Sequence, residues 1–195
     1  VCDVLVSTDD SKIQGVAKEL GAYTPWLRPK ELSADNSSSV DAALHALYPR
    51  LEDEFSKQHG RMKNGNMAIV ALGKLGGREL TIGSDLDLLF VYQCDDEASD
   101  GPKPLPAIPY YTRFGQRYMG AITAPTGEGT LYEVDMRLRP SGNAGPLASS
   151  FDSFVRYHRE DAWTWERMAL TRARVIVADD VLRRHLEQSI TDVLT

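Results

Sequence analysis

Met67-Ala68-Ile69-Val70-Ala71-Leu72 runs into Gly73-Lys74-Leu75-Gly76-Gly77-Arg78-Glu79-Leu80-Thr81-Ile82-Gly83-Ser84-Asp85-Leu86-Asp87, and from there into Leu88-Leu89-Phe90-Val91-Tyr92. The first six residues are a continuous apolar run stopped by a glycine, the pattern of a strand covered on both faces. Residues 86–92 read as a second such strand. A strand that ends in Gly73, followed by a helix starting near Leu75, leaves free backbone N–H groups at one spot, which suits an anion. Lys74 adds positive charge there, and Ser84 offers a hydroxyl beside the two aspartates. The plain alternative is a glycine-rich strand-to-helix turn with no ligand.

Working outward, residues 1–64 read as helical. Thr8-Asp9-Asp10-Ser11 offers N-cap side chains before Ile13, Val16, Ala17 and Leu20, with Gly21 as the stop. After a polar loop at 33–39, Val40, Ala43, Leu44, Leu47, Tyr48, Leu51 and Phe55 recur at helical steps. Residues 60–66 form a basic break and 95–109 a surface loop rich in Asp, Pro and Gly. Helical spacing returns at 110–123. Residues 131–138 alternate and predict a third strand closed by Pro140. The spacing predicts further helices over 151–157, 163–177 and 181–194. The whole is expected to be an α+β protein: a helical segment 1–64, a core 65–140 with a small mixed sheet, and a helical part 141–195.

Residues two apart in a strand share a face, so Asp85 and Asp87 project together. Paired carboxylates repel unless a cation lies between them, and hard oxygen donors in that arrangement suit Mg²⁺. By chance such a pair is often a solvated turn. Here it opens an apolar strand, where unpaired charge is costly. On the predicted third strand Glu133, Asp135, Arg137 and Arg139 share a face opposite Tyr132, Val134, Met136 and Leu138. Either acid is a candidate third ligand and either arginine a phosphate partner. A half-exposed strand with alternating solvent charges explains the same spacing.

Composition narrows the classes. A hydrophobic share of 42% and a charged share of 26% describe an ordinary globular chain. The net charge of −6 argues against a nonspecific nucleic-acid binder. Two distant cysteines, Cys2 and Cys94, make no disulfide framework, which fits a reducing cytoplasm. No apolar run is long enough to span a membrane. The chain opens at Val1 and reads as a piece of something longer.

The glycine turn, Asp85-Leu86-Asp87-Leu88 and Val134-Asp135-Met136 together resemble the DNA polymerase β-type nucleotidyltransferase superfamily. Lys74 departs from it, since many members carry Ser or Gly there. GKLGGREL…GSDLDLLF, APTGEGTLYEVDMRLRPSGNAGPL and AWTWERMALTRARV resemble, over residues 67–180, the bacterial glutamine synthetase adenylyltransferase/adenylyl-removing enzyme family. The resemblance implies two Mg²⁺ ions on Asp85, Asp87 and Asp135, which it favours over Glu133. It implies ATP held by Gly73, Lys74, Ser84, Arg137 and Arg139, with AMP passed to a tyrosine of glutamine synthetase and the PII signal protein as regulator of the longer enzyme. RLRPSGNAG and AWTWE resemble the adding half of that enzyme. The alternatives are its phosphorolytic, adenylyl-removing half, a uridylyltransferase acting on PII, and a noncatalytic docking domain. The resemblance also offers a reading of Arg172 or Arg174 as nucleotide ligands on a closing helix with Trp163 and Trp165. A packed helix with solvated arginines is the other.

Overall fold

A computed structural model describes residues 6–24, 27–28, 39–81, 83–124 and 132–195. The chain separates into two compact units, Val1–Arg50 and Leu51–Thr195. In the first, Asp10 caps helix α1 (Ser11–Glu19) by accepting from the N–H groups of Lys12 and Ile13 at 2.7 and 3.2 Å. Gly21, at φ 82°, follows the end of this helix in the left-handed region that glycine tolerates. Ile13 and Val16 of α1 are 54% and 57% exposed, and Leu20 at its C-terminal cap 82%. Helix α2 (Ser39–His59) begins in this unit and continues into the second.

The second unit is built on a five-stranded sheet. Strand β1 (Asn66–Ala71) lies between β2 (Leu86–Gln93) and β5 (Arg174–Val177), antiparallel to both. On its other side β2 pairs in parallel with β3 (Val134–Asp135) and with β4 (Ala148–Ser150). A one-turn helix, α3 (Gly73–Gly76), leads away from β1, and α4 (Ala107–Ile122) joins β2 to the segment before β3. Helices α5 (Phe151–Glu160), α6 (Thr164–Leu170) and α7 (Asp180–Leu194) complete the chain.

The two central strands are apolar along Met67–Ala71 and Leu88–Tyr92 because both faces are covered there. Ala68, Val70, Leu89 and Val91 pack with Val175 and with Phe154, Leu170, Leu182, Leu186 and Ile190 from α5, α6 and α7. On the opposite face Phe90 meets Tyr118 of α4 edge-on at 5.9 Å, and Tyr92 stacks on Tyr111 at 4.2 Å. Phe55, near the end of α2, meets Tyr110 at 5.1 Å.

The α+β class with a small mixed sheet is as expected. Two predicted elements are corrected. Of the strand predicted over 131–138, only Val134 and Asp135 are strand; Leu131 lies outside the described residues, and the chain turns after Asp135 as Met136 is buried. Glu133, Asp135, Arg137 and Arg139 are therefore not four rungs of one strand face. The helix predicted over 163–177 ends at Leu170, and Arg174–Val177 is a strand. The open edge of β1 gives this β-branched run a partner, which outweighs its helical spacing. Helix α6 packs through Glu166 and Leu170, while Trp163 and Trp165 are 72% and 56% exposed.

Candidate active site

The site grows from the end of β1. Leu72 is fully buried and donates its N–H to the Asp87 carbonyl at 2.9 Å, so the first residue past β1 is tied to the first turn of β2. Gly73 follows at φ 51°, and a Cβ there would lie 2.1 Å from Oδ2 of Asp87. Glycine is needed twice, for the backbone and to leave room for that carboxylate. Gly76 is as constrained: a Cβ would lie 1.9 Å from the Arg172 carbonyl oxygen and 2.8 Å from that of Ala71.

Lys74 stands on the exposed side of this turn, its Nζ 3.5 Å from Oγ of Ser84. Ser84 itself is buried; its Oγ lies 2.8 Å from Oγ1 of Thr81 and accepts from the Thr81 N–H at 3.2 Å. That hydroxyl is engaged in the turn and serves there as the anchor for Lys74.

Asp87 and Asp135 are register partners across β2 and β3, as are Leu86 and Val134. The N–H of Leu86 donates to the Glu133 carbonyl at 2.8 Å, which fastens the short edge strand. Asp85 is exposed just ahead of β2. Burial first, then the charges of Asp135 and Asp85, push Asp87 above the ordinary carboxylate range. Asp135 goes the other way. Its side chain accepts from Arg137, which holds it below that range. The contact uses Nε to both oxygens at 3.1 and 2.8 Å, Nη2 to Oδ2 at 2.5 Å, and the Arg137 backbone N–H to Oδ1 at 2.8 Å.

A cavity of about 460 Å³ opens here, walled by Asp85, Glu133, Asp135, Arg137, Arg139 and Asn143 among others. Asp87 is not among its walls and lies instead against Gly73. Arg139 donates from Nη1 to the Met136 carbonyl at 2.7 Å, while its Nε is buried with no hydrogen-bond partner. Oxygen donors from two adjacent strands, one carboxylate raised by its acidic neighbours, are a donor set that fits Mg²⁺. As the side chains stand, no three His, Cys, Asp or Glu groups among the described residues are gathered closely enough to hold an ion. Asp135 is turned to Arg137 instead.

The family model for glutamate-ammonia ligase adenylyltransferase matches residues 28–189. The chain belongs to that family. Among curated relatives, the bifunctional glutamine synthetase adenylyltransferase/adenylyl-removing enzyme of Brucella suis biovar 1 is 53% identical over 157 residues, covering 80% of this chain and 16% of the relative. The protein of the same name from Rhizobium meliloti strain 1021 is 44% identical over 193 residues, 98% of this chain and 19% of its own length. That of Rhodopseudomonas palustris strain BisB5 is 50% identical over 164 residues, 83% of this chain and 16% of its own length. The chain thus spans less than a fifth of the relatives it matches.

Within this adenylyltransferase-family chain, β2 and β3 pair Asp87 with Asp135, Asp85 stands just ahead of β2, and α3 sets Gly73 against Asp87. Of the two arginines left open, Arg172 pairs with Glu79 at 2.8 Å. Arg174 does something the sequence reading missed. From the start of β5 it donates Nη2 to the Leu75 carbonyl at 2.8 Å, which also accepts from the Arg78 N–H, and Nε to the Gly76 carbonyl at 3.1 Å, capping the end of α3. The β-branched run Val175-Ile176-Val177 suits a strand, but nothing in the sequence places Arg174 beside the glycine turn. Among the described residues no helix is long and apolar enough to cross a membrane.

Proposed function

We propose that this chain carries a nucleotidyltransferase site that moves AMP from ATP onto a tyrosine of glutamine synthetase. The observation that supports it most is the cross-strand pairing of Asp87 with Asp135, with Asp85 alongside and the glycine turn packed against Asp87. The relatives' names supply the substrate class.

Asp85, Asp87 and Asp135 would hold Mg²⁺, which when bound offsets phosphate charge and favours the ionised form of an attacking hydroxyl. The chain's own groups do the rest. Lys74, anchored by Ser84, and the guanidinium charge of Arg139 at the cavity wall draw the triphosphate to the acids. Gly73 and Gly76 let the backbone lie close beneath it, and Arg174 keeps that backbone in place. The tyrosine oxygen forms a bond to the α-phosphorus as the bond to the β-phosphate oxygen breaks, and pyrophosphate leaves. In the longer enzyme the PII signal protein is the proposed regulator.

The positive charge of Arg139, which lines the cavity, also suits inorganic phosphate as the attacking group, the requirement of the adenylyl-removing reaction, which yields ADP. Pro140-Ser141-Gly142 and Ala162-Trp163-Thr164-Trp165, which resemble the adding half, favour transfer to tyrosine. The test is incubation of the chain with purified glutamine synthetase, Mg²⁺ and labelled ATP, with mass measurement of the protein product. AMP on the synthetase with equal pyrophosphate is expected. ADP released from adenylylated synthetase and phosphate, with no transfer from ATP, would reverse the direction.

A further inference from the structure

Arg137 occupies Asp135 completely. After β3 ends, the burial of Met136 turns the chain, and Arg137 comes back over the carboxylate two residues earlier. Oδ1 accepts from the Arg137 backbone N–H and from Nε; Oδ2 accepts from Nε and Nη2. The two partners differ in freedom: the Asp135 side chain is 15% exposed and that of Arg137 75%. The carboxylate is therefore held in the fold, while the guanidinium is an outer arm with space to leave. It also lines the cavity in which phosphates would arrive.

A guanidinium presents the same planar pair of donors to phosphate as to carboxylate. A triphosphate entering the cavity competes with Asp135 for Arg137, and an Asp135 released from Arg137 is left as an unpaired acid beside Asp87 and Asp85. That exposes three acidic charges to whatever cation is near.

We propose that Arg137 is a positioning residue that stands in for the divalent cation on Asp135, and that nucleotide phosphate removes it, so that Asp135 becomes a metal ligand only when nucleotide is bound. This rests on the reading of Asp135 as a ligand. It makes nucleotide and metal binding mutually reinforcing through one side chain, because a coupling of this kind is reciprocal. It also separates the two arginines of the cavity. Arg139 is fixed on the Met136 carbonyl, and Arg137 exchanges partners.

The experiment measures Mn²⁺ binding to the full chain by calorimetry, alone and with a non-hydrolysable ATP analogue. Wild type, Arg137→Ala, Arg137→Lys and Asp135→Asn are compared. Wild type is expected to bind Mn²⁺ weakly alone and about tenfold more tightly with the analogue, within the usual range for coupled sites. Arg137→Ala, which keeps the backbone N–H contact, should bind Mn²⁺ alone about tenfold more tightly than wild type and gain little further from the analogue. Arg137→Lys should fall between, since an ammonium pairs as a point charge. If Arg137→Ala leaves Mn²⁺ binding unchanged or weaker while Asp135→Asn weakens it with the analogue present, the exchange is wrong and the metal reading stands. If Asp135→Asn leaves Mn²⁺ binding with the analogue intact, Asp135 is no ligand and both fall.

Discussion

The two sides of the acid cluster are built by different means. Asp87 is the second residue of an eight-residue strand that is paired along six residues with β1 and along three with β4, and whose following residues, Leu88 through Val91, are almost fully buried. Asp135 closes a two-residue edge strand held by two register pairs and one added hydrogen bond. Its carboxylate is held by a solvent-exposed arginine rather than by the core. Position on the β2 side comes from packing, which a ligand cannot alter. On the β3 side it comes from an ion pair, which a ligand can replace. Substitutions on the first side should therefore act through fold and chemistry at once, and those on the second through ligand affinity.

The largest expected effect is on chemistry. Asp87→Asn should lower AMP transfer by at least about a hundredfold, each 1.36 kcal/mol being tenfold in rate. Single-turnover transfer measured by product mass checks this, and residual activity above about a tenth would remove Asp87 from the site. Next is packing. Gly76→Ala forces a Cβ onto two backbone carbonyls and should cost about 1–3 kcal/mol in denaturant unfolding. Gly142→Ala, on the β3 side, meets only the Arg137 carbonyl at 3.5 Å and should cost about 1 kcal/mol for its positive φ. Equal losses at the two glycines would erase the proposed contrast.

Arg174→Ala leaves the Leu75 and Gly76 carbonyls without their charged donor and should cost about 1–2 kcal/mol. Its mark is weaker binding of an ATP analogue, measured by titration. Binding equal to wild type would mean that the turn holds its shape unaided.

The smallest effects are of opposite sign at the two acids. Asp87 is raised in the folded state, so that state binds its proton more tightly than the unfolded chain, and stability falls as pH rises through the interval between the two pKa values. At neutral pH without metal, Asp87→Asn should raise the melting temperature slightly, the gain in stability being less than about 1 kcal/mol given its partial exposure. Asp135 is lowered, so its contribution is complete above its unfolded pKa and is lost as pH falls through the folded one. Asp135→Asn should lower the melting temperature at neutral pH and change nothing in strong acid. Shifts of the same sign would show that the acids share one environment.

Much of this was legible in residue order alone. The runs at 67–72 and 86–92 announce buried strands because apolar character is continuous and glycine ends it, and α4 shows its helical period. Asp85 and Asp87 follow from strand periodicity, whereas the choice of Asp135 over Glu133 came from resemblance. What stayed hidden depends on contacts remote in sequence. Alternation over 131–138 does not distinguish a strand from a turn in which Met136 is buried and Arg137 folds back on Asp135. Residues 174–177 are strand only because β1 has a second edge to fill, and nothing local in Arg174 points to the carbonyls of Leu75 and Gly76.

The exposure of Trp163 and Trp165 has a spectroscopic consequence. Both indoles, at 72% and 56% exposure, already face water in the native protein, so their emission should be long in wavelength before any denaturant is added. Their colour is then a poor witness to unfolding of the sheet. The buried rings of Tyr110, Tyr111 and Tyr118 in α4 are the better chromophores for that event. The same property makes α6 a reporter of a different kind: any molecule that covers this short helix will shift the emission to the blue while the core keeps its spectrum.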